Sequence, residues 1–344
     1  MSCLAWNCRG LGNPQAEDEL ENIIRAQDPL IVFLSKTWSG RKQLEKLRCK
    51  IKYAGLFTVP SQGRGGGLAL MWKLDVAVWV DSFLKYHIDA VVNGMTTEPW
   101  RFTGFYGEPN TSYREEAWSM LHMLGSKPHL PWCCMGDFNE ILQTEEKRGG
   151  RTRPHAQMQA FREVLDFCGF IDLGFTGPEF TWHSRRHGYL IWERLDRGVA
   201  NYDWIAKFPA ATVRHIHCFS SDHRPIKVVF DPNSESQRWF RRPFRFEEMW
   251  LADSGCKDTV LRAWETQHAG TPMFRVSKKI KKCKKMLKSW SKDHFGSVKR
   301  QIAKKKELLW KAEEDAAKGG SYGPVSQIRR ELNVLLDKES RMWK

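Results

Sequence analysis

The sequence predicts an α+β sandwich over its first two thirds and a basic helical extension after it. Three observations carry that prediction. Compact apolar runs of strand length recur up to about residue 230, helical stripes between them are few, and beyond residue 243 the apolar period becomes helical with a surplus of lysine. The runs at 4–7, 31–34, 68–72, 100–106, 132–135 and 226–230 have the length and composition of strands, and 76–80 and 213–218 read the same way. Helices are expected after Pro14 (Leu20, Ile23 and Ile24 inward), after Ser112 (Trp118, Leu121 and Leu124 inward), and over 155–168, where Met158, Phe161, Leu165 and Cys168 share a stripe.

Residues 231–243 are polar and then arginine-rich, which marks a domain exit. Beyond them Val276, Ile280, Cys283, Leu287 and Trp290 recur at spacings of 4, 3, 4 and 3. Val298, Ile302, Leu309 and Ala312 continue after a break near Gly296, and Val325, Ile328, Leu332 and Leu335 resume after Gly319, Gly320 and Pro324. Two or three helices with narrow apolar seams follow from this pattern. The expected division is 1–232 as the sandwich domain, 233–271 as a connector and 272–344 as a basic helical region. The last region stops at Lys344 in mid-pattern without a C-cap signal, so it reads as truncated.

Composition excludes several classes. Hydrophobic residues make up 41% of the 344 and include 16 tryptophans, enough for a substantial core. No run of about 18 uncharged apolar residues exists, which argues against a membrane partner. The N-terminus lacks the basic region and apolar run of a secretion signal, so a nuclear or cytoplasmic protein is expected. Nine cysteines without paired spacing and without Cys-x-x-Cys speak against zinc and a disulfide framework, and for reduced thiols. The net charge of +15 is unevenly placed: residues 1–237 carry 28 Lys+Arg against 27 Asp+Glu, residues 238–344 carry 27 against 13. A polyanion is the natural partner of the second part. Its lysines crowd 278–288, and Asp293 is the only acid from 278 to 306. Like charges at helical spacing repel unless a polyanion neutralises them, so Lys278, Lys281, Lys282 and Lys285 are candidate nucleic-acid contacts, or part of a nuclear-import signal.

Three short strings carry the chemistry. Gly136-Asp137-Phe138-Asn139 ends an apolar run and sets two polar side chains together at a strand end, although Asp and Asn there also suit a turn. Ser221-Asp222-His223 lies between two strands, where an imidazole beside a carboxylate can meet a phosphate or take a proton near neutral pH. Glu193-Arg194-Leu195-Asp196-Arg197 supplies a second carboxylate able to orient that imidazole, with its arginines open to a solvated role. Asn7 at the end of the first strand could ligate a cation, hydrogen-bond a phosphate or cap the strand, and the Tyr106 hydroxyl could donate to a phosphate oxygen. Gly63 to Gly67 lacks a following Gly-Lys-Ser/Thr and a helix, so it suits a hairpin better than a phosphate loop.

Taken in order, Trp6-Asn7-Cys8-Arg9-Gly10-Leu11-Gly12, Gly66-Gly67-Leu68-Ala69-Leu70, Gly104-Phe105-Tyr106-Gly107, Gly136-Asp137-Phe138-Asn139-Glu140, Phe180-Thr181-Trp182, Glu193-Arg194-Leu195-Asp196-Arg197 and Ser221-Asp222-His223 resemble the endonuclease/exonuclease/phosphatase superfamily. The form they resemble is the apurinic-like endonuclease of plant non-LTR retrotransposons, over about residues 1–230. The tail, with Phe244-Arg245-Phe246-Glu247, Pro272-Met273-Phe274 and His294-Phe295-Gly296, resembles the segment that joins this endonuclease to a reverse transcriptase, and no polymerase follows. The resemblance implies a four-layer α/β sandwich, two packed mixed β-sheets flanked by helices, with the site at one edge. It also implies Mg²⁺-dependent cleavage of DNA, with RNA as a further partner and no small-molecule cofactor. By the same likeness His223 would contact the scissile phosphate or act as base, and Asp196 would orient it. Asp137 would handle a proton, and Asn139 would position the phosphate. Asn7 and Asp222 would lie near the metal, while Tyr106, Thr181 and Ser221 would hold phosphate oxygens.

One departure stands out in Leu34-Ser35-Lys36-Thr37. The family carries its principal magnesium-binding Glu before that Thr; here the residue is Lys36, and no acid lies between Asp28 and Glu45. The expectation is therefore an endonuclease-type phosphodiesterase impaired by Lys36, with a non-catalytic nucleic-acid-binding remnant as the alternative.

Overall fold

Strand β1 (Ser2–Asn7) is buried along its whole length because it lies inside a sheet covered on both faces. It runs parallel to β2 (Ile31–Ser35) and antiparallel to β15 (Ile226–Val229). With β14 (Thr212–His215), β4 (Gly65–Trp72) and β3 (Gly55–Gln62) these strands form a six-stranded sheet of order β14-β15-β1-β2-β4-β3. Strand side chains alternate between faces. Cys3, Ala5, Ile31, Phe33, Leu68 and Leu70 fill one core cluster, while Leu4, Trp6, Val32, Leu34, Ala69 and Met71 fill another beneath α1 (Pro14–Gln27) and α2 (Arg41–Ile51). Asn13 caps α1 by accepting from the Gln15 amide, and Pro14 occupies the first turn, where its missing N–H costs nothing.

The structure, a computed structural model, describes residues 1–62, 65–95, 98–186, 189–231, 246, 250–251, 253–267, 269–294 and 296–342. The second sheet has the order β10 (Ile171–Asp172), β13 (Asp196–Ala200), β8 (Trp132–Asp137), β7 (Trp100–Tyr106), β6 (His87–Val92) and β5 (Val78–Leu84). Ile88, Ala90, Phe102, Cys133 and Met135 meet the first sheet in the shared core, and Phe105, Cys134 and Val199 pack beneath α3 (Arg114–Gly125) and α4 (His155–Phe167). The expected α+β sandwich is thus observed, as helices, sheet, sheet and helices. The two sheets leave no room for a side chain at Gly104, where an added Cβ would stand 2.1 Å from the Phe33 ring. A small third sheet joins β9 (Lys147–Arg148), β12 (Tyr189–Glu193) and β11 (Trp182–Arg186), and α5 (Tyr202–Lys207) follows β13.

Two strand expectations are corrected. The strand expected at 76–80 begins at Val78. The strand expected at 213–218 ends at His215, because the chain leaves the ladder there to carry the segment that holds His223.

The chain divides into two units, Met1–Gln237 and Arg238–Lys344. The second contains α6 (Ser254–Trp264), α7 (Pro272–His294), α8 (Gly296–Ala317) and α9 (Gly323–Met342). Helix α6, inside the stretch expected as connector, packs on α7 through Trp250, Cys256, Val260, Leu287 and Trp290. Val298, Ile302 and Leu309 of α8 and Val325 and Leu332 of α9 are buried, whereas Val276 and Ile280, expected on the α7 seam, are exposed. No helix among the described residues is long and apolar enough to cross a membrane. Gly63 and Arg64 of the glycine-rich stretch, residues 232–243 of the exit, and Phe244, Arg245, Glu247 and Phe295 of the tail motifs lie outside the described residues.

Candidate functional site

Register places the chemistry on one rim. Asn7 ends β1 opposite Ser35, the last residue of β2. Tyr106, the last residue of β7, lies opposite Asp137, the last of β8, and Asp137 in turn lies opposite Asp196, the first of β13. The two sheets are joined there by one hydrogen bond, from Asn7 Nδ2 to Asp137 Oδ2 at 2.8 Å. Asn139, held at φ 55°, donates from Nδ2 to Asp137 Oδ2 (3.1 Å) and to the Gly107 carbonyl (2.8 Å), and its backbone N–H meets Asp137 Oδ1 at 2.9 Å.

His223 completes the group. Its Nδ1 lies 2.9 Å from Asp196 Oδ2, and its Nε2 lies 3.6 Å from Asp137 Oδ2. The backbone around it is fixed on every side. Trp6 Nε1 donates to the His223 carbonyl (3.0 Å), and Ser221 Oγ accepts from the His223 N–H (3.1 Å) while donating to the Asn7 carbonyl (2.8 Å). The Arg224 N–H donates to the Thr181 carbonyl at 2.7 Å.

Burial alone would push the His223 imidazole down, but the charges of Asp137 and then Asp196 outweigh it and hold the group well above its usual range. Burial first, and Asp137 with it, raises the Asp196 carboxyl against the pull of His223. Both shifts have one physical meaning: Asp196 and His223 retain a proton that free groups would lose. Burial also raises the Tyr106 phenol, with Asp137 adding to it, so Tyr106 remains a neutral donor.

Asn7, Asp137, Asn139, Asp196, Thr181, Ser221 and His223 therefore come together. The hydroxyls of Thr181 and Ser221 are already engaged. Thr181 Oγ1 accepts from the N–H groups of Leu195 (3.0 Å) and Asp196 (2.9 Å), which aims Asp196 at the imidazole. Asp222 is held by Arg9 Nη1 (2.6 Å) and Trp182 Nε1 (3.0 Å) on Oδ2, while its buried Oδ1 has no hydrogen-bond partner. Lys36 is half-buried, with its ammonium 5.4 Å from the centroid of the Tyr106 ring. Lys278, Lys281, Lys282 and Lys285 are exposed on α7 in the other unit.

Sequence reasoning missed Trp6, Arg9 and Trp182 as supports, although each stands inside a quoted string. It also left open a solvated role for Arg194 and Arg197. Arg197 is fully buried, and the two arginines bridge Glu146 and Asp172 in a closed set of four ion pairs at 2.7–2.8 Å.

The Endonuclease/Exonuclease/phosphatase family profile matches residues 4–223. The chain belongs to that family. Among solved structures it is similar to a 3′-5′ exonuclease from Neisseria meningitidis (TM-score 0.52, 19% identity, 67% of this chain and 100% of that one). It is also similar to AP endonucleases from Archaeoglobus fulgidus (0.51, 16%, 67% and 99%) and Leishmania major (0.52, 16%, 66% and 86%). At such identities the likeness shows the shared fold. No curated protein sequence matches this chain.

The family generally relies on a metal ion, and some of the residues here suit one. Donor atoms of Asp137, Asp196 and His223 lie within 4.8 Å of one another, and Asn7 Oδ1 is buried without a donor, as an atom facing a cation would be. The charges point the other way. An imidazole that keeps its proton cannot ligate, and an ammonium stands where a carboxylate is expected. Two charges of the same sign a few ångströms apart repel by several kcal/mol even at an effective dielectric constant of about 20. Among the described residues Asp137, Asp196 and His223 thus form a possible metal site, with the His223 proton and the Lys36 ammonium as the charges that oppose an ion there.

Proposed function

We propose that the rim is a phosphodiester-directed site of the DNA endonuclease type, in a chain derived from a non-LTR retroelement, with its cleavage impaired by Lys36. The observation that carries this reading is the buried His223, set between Asp196 at 2.9 Å and Asp137 at 3.6 Å. With Nδ1 bound to Asp196, the Nε2–H is left for a phosphate oxygen, since Asp137 lies beyond hydrogen-bond range of it. Asp137 is oriented by two amides and placed to take a proton from water or return one to a leaving oxygen. Asn7 and Asn139 fix that carboxylate, and Thr181 fixes Asp196. Mg²⁺ is the ion the family resemblance implies, and this chain would hold it weakly or lose it.

A second reading, a nucleic-acid-binding remnant that does not cut, is favoured by the same Lys36 together with the exposed lysines of α7. Nicking of supercoiled plasmid in magnesium separates the two. The natural chain should nick little, Lys36→Glu should gain at least about tenfold, and adding His223→Ala should abolish the gain, since loss of a proton-transfer group costs about 10²–10⁴ in rate. Robust magnesium-dependent nicking by the natural chain, lost in His223→Ala, would remove the impairment. No gain in Lys36→Glu would favour the remnant.

A further inference from the structure

The loop from β2 to α2 carries two side chains that take no part in holding His223. Lys36 comes directly after Ser35, which lies opposite Asn7, and its ammonium stands over the Tyr106 ring. Among the described residues it makes no ion pair or hydrogen bond. Two residues on, the Trp38 side chain is exposed, with its ring laid against Gly10 so closely that a Cβ there would stand 2.7 Å from Cε3.

The backbone at both residues is strained. Lys36 and Trp38 have φ of 50° and 46°, a region that side chains other than glycine avoid. The surroundings impose it. Gly10 N–H donates to the Lys36 carbonyl (2.8 Å), Leu11 N–H to the Thr37 carbonyl (2.9 Å), and Thr37 N–H to the Gly67 carbonyl (3.1 Å). Strain held by several such bonds is typical of places that grip a ligand. An unpaired ammonium and an exposed indole, two residues apart beside the pair of Asn7 and Asp137, match a phosphate and its neighbouring base.

We infer that Lys36 and Trp38 grip a nucleic-acid strand without a metal ion, Lys36 on a phosphate oxygen and Trp38 stacked on the adjoining base. The inference rests on the phosphodiester reading of the rim and adds to it how this chain binds in place of a metal-bridged contact. An ammonium supplies a compact charge and three donors to phosphate. An indole face accepts any base, so the grip is indifferent to sequence.

The test is calorimetric titration of the full chain in EDTA with thymidine dinucleotide, and separately with thymidine 3′-phosphate. The short ligands restrict contact, and comparing variants at one salt concentration cancels the contribution of α7. Binding should persist in EDTA. Lys36→Met should weaken it about 10- to 100-fold, the range for a charge-assisted hydrogen bond. Trp38→Ala should weaken the dinucleotide about 5- to 100-fold, Trp38→Tyr should restore it, and an abasic analogue should bind both Trp38 variants and the natural chain equally. Tighter binding of the dinucleotide places the grip within a strand, and tighter binding of the monoester places it at a strand end; both support it. Binding that appears only with magnesium overturns the inference and leaves the phosphodiester reading standing. Unchanged binding by Lys36→Met, or by Trp38→Ala together with Trp38→Tyr, overturns it too. No binding of either ligand with or without magnesium overturns both.

Discussion

Three buried imidazoles show how far surroundings decide a residue's chemistry. His223 faces two carboxylates and retains its proton. His87 and His215 are also buried, but burial dominates, and both are lowered from 6.5 to about 4. The sign of the consequence follows from linkage. Below pH 6.5 the unfolded chain takes up two protons that the folded chain refuses, so stability falls as pH drops from 6.5 toward 4. At 1.36 kcal/mol per pKa unit each group contributes about 3 kcal/mol across that window. Thermal unfolding followed from pH 7 to 4 should show this slope, and His87→Gln with His215→Gln should flatten it. A second residue-scale prediction concerns Thr181. Thr181→Val leaves the N–H groups of Leu195 and Asp196 buried and unpaired, a cost of about 1–3 kcal/mol for each. Denaturant unfolding measures it.

At the scale of elements, the buried ion network decides where β13 starts, and so where Asp196 points. Arg194 and Arg197 share Glu146 and Asp172, and the arginine charges outweigh burial to lower both carboxyls. Glu146→Ala would leave the buried Arg194 and Arg197 sharing the single carboxylate of Asp172 and should cost about 3–5 kcal/mol, whereas Glu146→Met with Arg197→Met should recover much of that. Equal stability of the single and double variants would deny the network this role. None of it is readable from sequence, since Glu146 stands about fifty residues from Arg197 and nothing local marks the pairing. The strands at 4–7, 31–34 and 132–135 were readable, because a strand covered on both faces must be apolar throughout. Helix α2 was not, since only Leu44 and Leu47 of its residues are buried. Nor were β9 and β11, whose side chains are largely polar, or β12, whose apolar run Tyr189 to Trp192 is short. His223 and Asp137 were legible because each stands in a short polar string, Asp137 at a strand end and His223 between two strands. Trp38 gave no signal, because its exposure depends on the interlock of its loop with Gly10.

Over the whole molecule, charge and chemistry are segregated between the two units, one nearly neutral with the candidate site and the other strongly basic. This division makes long-range attraction and local grip separately measurable. Each phosphate neutralised by a lysine releases condensed counterions, and log K falls with log salt by about 0.9 per contact on duplex DNA. If Lys278, Lys281, Lys282 and Lys285 all touch phosphate, replacing the four by glutamine should reduce the slope by roughly 3–4. Fluorescence anisotropy with a labelled duplex between about 50 and 200 mM salt reads that slope directly. The same replacement should leave dinucleotide binding at the rim unchanged, because those lysines belong to the other unit and the ligand has a single phosphate. An unchanged slope would mean that α7 does not lie along the backbone and that its charge serves another partner.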